Sequence, residues 1–152
     1  MTSISLRPSQ LDIEVKGIDM EFAGTNYLAV VVAAAAGFIT GGFWYGVLGN
    51  AWAQAQGKTK DDFKPSPKPF IIAIISQLVM AYVLSGLIGH LGDVTLTRGI
   101  ISSLFVWAGF VITTLATNHA FQHAKPSLTL IDGGHWLAVL LVMGAVIGAF
   151  GV

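Results

Sequence analysis

Residues 27–49 read YLAVVVAAAAGFITGGFWYGVLG, with no Asp, Glu, Lys or Arg. Residues 70–92, 99–121 and 133–152 are likewise free of these four types, and each of the four stretches has at least 20 residues. At about 1.5 Å rise per residue, 20 helical residues span roughly 30 Å, the thickness of a bilayer's hydrocarbon core. Runs this long without apolar–polar alternation do not read as barrel strands. A helix also satisfies its own backbone polar groups, which lipid requires. The sequence therefore predicts an all-α membrane protein with four transmembrane helices, at about 27–49, 70–92, 99–121 and 132–151.

Composition supports lipid as the solvent. Of the 152 residues 54% are hydrophobic and 11% charged, whereas a soluble domain carries about 25% charged residues. The lipid bilayer is thus the first partner. Net charge is zero and the basic residues are scattered, so no nucleic-acid-binding stripe exists. The absence of cysteine excludes disulfides, thiolate metal sites, iron–sulfur clusters and a cysteine nucleophile.

Residues 1–26 mix Arg7 and Lys16 with Asp12, Glu14, Asp19 and Glu21. They lack the basic start and apolar stretch of a secretory signal. The reading is a flexible tail over 1–25 ahead of a membrane domain at 26–152, with Met20 an alternative start to Met1. Residues 49–57 extend the first helix toward the interface, with Trp52 as an anchor. The prolines in 58–69 end one helix and start the next. Residues 93–98 and 124–130 form the other two connections. Short connections give antiparallel neighbours, hence an up-down-up-down bundle. Lys58, Lys60, Lys64, Lys68 and Lys125 fall on one side; Arg7, Lys16 and Arg98 fall on the other. Five against three places the first and third connections in the cytoplasm of a bacterial inner membrane, with both termini outward.

Three small-xxx-small pairs stand out: Gly37 with Gly41, Gly42 with Gly46, and Gly144 with Gly148. Such pairs let helix backbones approach closely in lipid. Packing within the bundle is the expected use and dimerisation the alternative. Residues 27–30 (YLAV) and 136–139 (WLAV) give a faint echo between helices of opposite direction.

The polar residues gather at the lysine-bearing end. Trp44, Tyr45, Asn118, His119, Asp132 and His135 form the candidate cluster, flanked by Asn50, Trp52 and His123, with Gln77 about two turns inside. Ionisable groups near membrane depth are costly and mark function or a buried pair. His119 with His123, and Asp132 with His135, have helical spacing and supply nitrogen and oxygen ligands suited to a divalent metal. Position argues the other way: a helix end lets water and headgroups solvate these groups, and Asp132 is favoured by the dipole of the fourth helix's first turn. The reading is no metal and no cofactor, haem included. A hydrogen bond from Asp132 to Asn118, or to a backbone amide near it, is expected to fix the last hairpin. Ser102, Ser103, Thr113, Thr114 and Thr117 are read as bonding to their own helix. No nucleophile–base set or nucleotide loop appears, so the residues favour a non-enzymatic protein.

Three stretches resemble the domain of unknown function 1761 family of bacterial membrane proteins. They are 26–52 with Trp44-Tyr45 and Ala51-Trp52, 107–121 ending Asn118-His119-Ala120-Phe121, and 130–150 with LIDGGHWLAVLLVMGAVIGAF. The resemblance implies a four-helix protein of the cell envelope and carries over no catalytic residue. Asn26, Trp44, Tyr45, Trp52, Asn118, Phe121, Asp132, Gly134 and Gly144 are the family-typical positions. Family members often place an acidic and then a basic residue after the Phe; Gln122 and His123 stand there instead, which weakens a His119–His123 ligand pair. The leading function is a structural or accessory membrane subunit, packing against itself as a homo-oligomer or within a larger membrane complex. A transporter or channel using the polar cluster, and a membrane-embedded metal or redox protein, are the alternatives.

Overall fold

The computed structural model describes residues 25–64 and 66–151. The expected tail, and with it the question of Met1 or Met20, lies outside the described residues except at Thr25. Four helices follow: α1 at Tyr27–Ala55, α2 at Pro67–His90, α3 at Leu96–Phe121 and α4 at Pro126–Phe150. All four are long and apolar enough to cross a membrane, and they run up-down-up-down. The protein is an all-α, multi-pass membrane bundle.

Local chemistry sets the boundaries. Asn26 caps α1, its Oδ1 accepting from the Ala29 N–H at 3.1 Å. α1 continues past 49 to Ala55, as the interfacial extension expected over 49–57. It stops at Gly57, whose φ of 71° suits glycine. There Gly57 N–H donates to Gln54 O and Lys58 N–H to Ala53 O, the paired bonds of a Schellman motif. Pro67 and Pro126 open α2 and α4, where a missing N–H costs nothing. α4 therefore begins six residues before the expected 132, and the last connection shortens accordingly. α3 ends on a second Schellman motif, with His123 in the left-handed position at φ 53°. His123 N–H donates to Ala120 O and Ala124 N–H to His119 O.

α4 is central. It lies along both α1 and α3, while α2 leans chiefly on α1 and touches α3 little. Two kinds of packing result. On one side Val30, Ala33 and Ala34 of α1, Ala81, Leu84 and Ile88 of α2, and Val139, Leu140, Met143 and Ile147 of α4 form an apolar core. On the other side α3 meets α4 along a seam of small residues. A Cβ on Gly99 or Gly144 would collide with the other's backbone, and one on Gly148 would collide with Thr95 and Leu96. Gly99 is thus a packing glycine that the small-xxx-small search passed over. Ser103 is fully buried in this seam and donates to Gly99 O at 2.8 Å. Thr113 and Thr117 likewise bond to their own helix.

Gly37 and Gly41 face the interior, as expected. Gly42 and Gly46 do not: both are exposed, and nothing lies within 4 Å of where their Cβ atoms would stand. The face of α1 that holds them also exposes Ile39, Phe43 and Val47. The YLAV/WLAV echo has no structural counterpart, since Tyr27 starts α1 while Trp136 lies well inside α4.

The first and third connections meet at one end of the bundle. Lys60 lays its stem on Gly49, and Lys125 Nζ donates to Gln54 O at 3.2 Å. Thr59 N–H and Oγ1 both donate to Asp62 Oδ2 at 2.8 Å, which holds the Asp62 carboxyl below the usual carboxylate range.

The seam gives a direct expectation. Gly144→Ala forces α3 and α4 apart and lowers stability by about 1–3 kcal/mol in detergent-unfolding titrations. Gly89→Ala, at a glycine with nothing nearby, stays within about 0.5 kcal/mol of wild type. Equal effects at both positions would contradict the glycine seam.

Candidate functional site

The end of the bundle that carries the lysine-rich connection also holds the polar cluster, with three helices contributing. Asp132 of α4 is its hub. Its Oδ1 accepts from Tyr45 OH of α1 at 2.8 Å. Its Oδ2 lies 3.9 Å from His119 Nε2 of α3, at ion-pair rather than hydrogen-bond distance. His119 Nδ1 lies 2.9 Å from Thr129 Oγ1 of α4. Thr129 and Asp132 are three residues apart and share a face of α4, so the imidazole is addressed by both.

His119 is 9% exposed, and Thr129 and Asp132 are its polar neighbours on α4. Which ring nitrogen donates depends on the tautomer: with Thr129 donating to Nδ1, the ring turns Nε2–H toward Asp132.

Two indoles fasten the site from either side. Trp44 of α1 donates to Ile131 O at 3.1 Å, and Trp107 of α3 donates to Gly133 O at 2.8 Å. Adjacent Gly133 and Gly134 leave room for Ile112 and for the Trp44 indole. A Cβ at Gly133 would stand 2.5 Å from Ile112 Cδ1, and one at Gly134 would stand 2.8 Å from Trp44 Cζ2. His135 is 6% exposed and packs its ring 4.8 Å from Tyr45 and 4.7 Å from Trp136. Its Nε2 fills the space left by Gly41, where a Cβ would stand 2.8 Å away. Its buried Nδ1 has no hydrogen-bond partner among the described residues. Tyr45 also meets Trp52 edge-on at 5.5 Å, and Trp52 stacks on Phe63 of the first connection at 4.8 Å. Lys58 Nζ lies 5.2 Å from the centre of the Phe63 ring.

A π-helical turn at Trp107–Val111 interrupts α3. In an unbroken α-helix, Trp107 and His119 would point about 120° apart. One extra residue in a π turn reduces that to about 20°, which accounts for both residues reaching α4. Trp107 and the π turn were not legible in the sequence.

Trp44, Tyr45, His119, Asp132 and His135 come together as expected. Asn118 does not: it is exposed, turned about 100° from His119 by one helical step. Tyr45 takes the place expected for Asn118 beside Asp132. The dipole argument for Asp132 also changes, since Asp132 stands in the second turn of α4, and Tyr45 and His119 hold its charge instead. Thr129 was missed because residues up to 130 were read as a connection. The four-ligand set is not assembled: His123 is exposed in the turn and His135 faces Tyr45. Among the described residues no group of three or more His, Cys, Asp or Glu is placed to hold a metal ion.

The chain belongs to a family described as "Protein of unknown function (DUF1761)", which it matches over residues 28–148. The match spans all four helices and every residue of the cluster. No curated protein and no solved structure matches the chain.

The Tyr45–Asp132 bond should be measurable as a coupling between helices. In a double-mutant cycle of Tyr45→Phe and Asp132→Ala, unfolding in mixed micelles should give a coupling of about 0.5–2 kcal/mol. Strict additivity would show that the two side chains do not interact.

Proposed function

We propose that this member of the family is a structural or accessory subunit of the bacterial cytoplasmic membrane, acting by lateral helix packing with itself or with a partner protein. The observation that carries the reading is the division of the glycines. Gly99, Gly133, Gly134, Gly144, Gly148 and the inner-face Gly37 and Gly41 are consumed by packing inside the bundle, while Gly42 and Gly46, four residues apart, face outward with nothing against them, as do the single glycines Gly89 and Gly109. In lipid, apolar side chains have no drive to associate, and a small-xxx-small pair is what lets a second helix approach.

The interior supports the same reading. The polar cluster ends against an apolar core that includes Ala33, Val139, Met143 and Ile147, each essentially unexposed. Of the mid-depth groups, Thr40 donates to Ala36 O and Thr113 to Gly109 O, and Gln77 is buried with its Oε1 unpartnered among the described residues. None of the three bonds to another polar side chain among the described residues. A role in passing an ion or small molecule is the second reading, and it rests on the polar Tyr45–Asp132–His119 group with His135 Nδ1, unpartnered among the described residues, beside it.

The lysines on the first and third connections favour those segments inside and both termini outside. With no native cysteine, single-cysteine labelling is clean. A cysteine at Asp93 should react with a membrane-impermeant maleimide in intact cells, while one at Ser127 should react only after lysis. The opposite pattern would invert the topology.

The association test is the mass of the purified protein in mild detergent. Wild type should run as a homo-oligomer or with a stable partner, and Gly42→Leu/Gly46→Leu should release a folded monomer. A wild-type protein that is strictly monomeric and partnerless would overturn the reading.

A further inference from the structure

Every lysine among the described residues, Lys58, Lys60, Lys64, Lys68 and Lys125, stands at one end of the bundle, on the first and third connections and the first turn of α2. We propose that this end docks onto the headgroups of anionic phospholipids, with Lys64 and Lys68 as the contacts. The inference rests on the membrane-spanning bundle alone. It needs neither lateral association nor a choice of which side is the cytoplasm.

The charge at this end is unbalanced. Two ion pairs occur among the described residues, Arg98–Asp93 and His119–Asp132, and neither involves a lysine. Asp61 and Asp62 lie on the lysine-bearing connection, and Asp62 is turned back on the Thr59 N–H and hydroxyl. Three of the lysines serve the fold: Lys60 lies on Gly49, Lys125 Nζ donates to Gln54 O, and Lys58 sits over the Phe63 ring. Lys64 and Lys68 are exposed and have no hydrogen bond, ion pair or ring contact among the described residues. The opposite end differs, because its Arg98 is paired with Asp93 at 3.8 Å.

Depth identifies the partner. α1 has 29 residues and at about 1.5 Å each spans roughly 43 Å, more than the roughly 30 Å of hydrocarbon. Its surplus falls at residues 50–55, where Asn50 and Gln54 break the apolar run. Trp52, and Phe63 stacked on it, therefore lie in the headgroup layer. α2 fixes the level of Lys68. Phe70, Ile71 and Ile72 are exposed and apolar, which places them in hydrocarbon. Lys68 stands about 3 Å from Phe70 along the helix axis, and its long stem carries the ammonium outward to the phosphates. Phospholipids already occupy this layer, so an anionic headgroup meets both lysines directly. One lysine beside an anionic membrane surface favours association about fivefold.

The test places the full chain in phosphatidylcholine vesicles with a trace of spin-labelled phosphatidylglycerol or spin-labelled phosphatidylcholine. Electron paramagnetic resonance reads the fraction of each label held in the slow shell around the protein. Wild type should hold the phosphatidylglycerol label about fivefold more strongly than the phosphatidylcholine label. The preference should fall close to one in Lys64→Gln/Lys68→Gln, and in wild type at about 1 M salt, where the Debye length is about 3 Å. Lys64→Arg/Lys68→Arg should keep it. Circular dichroism and thermal unfolding show that each variant is folded. Four results would each overturn the proposal: equal association of the two labels with wild type at low salt, a preference unchanged in the folded glutamine variant, a preference that high salt leaves intact, or displacement of the phosphatidylglycerol label by inorganic phosphate beyond that by chloride of equal ionic strength. The last would place a free anion, and not a lipid, on the lysines.

Discussion

The bundle depends on how closely other helices can approach α4. Lipid solvates an apolar side chain as well as another helix does, so contact has to come from shape and from the few hydrogen bonds available. α4 supplies shape with glycines at two levels. Gly144 and Gly148 admit the backbone of α3, and Gly133 and Gly134 admit Ile112 and the Trp44 indole. It supplies hydrogen bonds with the carbonyls of Ile131 and Gly133 and the carboxylate of Asp132. α1 and α3 reach α4 through both devices, and α2 joins through the apolar core.

The polar cluster follows from that closure. Once α1 and α3 are drawn onto the first turns of α4, Tyr45 and His119 are delivered to the same carboxylate from opposite sides. A charge at this depth without partners would be costly; here the hydroxyl and imidazole offset it. The π turn in α3 is part of the same construction, because without it Trp107 and His119 could not both face α4. The cluster is therefore structural in its geometry, with one carboxylate shared by side chains of two other helices.

Much of this was legible in the sequence. Four charge-free stretches were enough for the helices and their up-down order, because lipid leaves the backbone so few alternatives. Five of the six cluster residues were found by their type and expected depth. Helix faces were harder to read. A helix that is apolar all round carries no moment to say which side is buried, so Gly42 and Gly46 could not be told from Gly37 and Gly41. One residue of register separated Asn118 from His119. The early start of α4 at Pro126 was visible in principle, but a segment with Lys125 and Ser127 reads as a connection, and Thr129 was lost with it. Gly99 was passed over because the small residue four positions on is Ser103 and not a second glycine.

The claim that α1 and α3 both close on α4 is tested most directly by hydrogen exchange of the tryptophan indole N–H groups, followed by NMR in nanodiscs. Trp44 and Trp107 donate to α4 carbonyls, whereas Trp52, at the same end of the bundle, shares only ring contacts with Tyr45 and Phe63. The account predicts that the Trp44 and Trp107 signals exchange markedly more slowly than that of Trp52. Exchange of all three at the same rate would mean that one or both flanking helices are not held against α4.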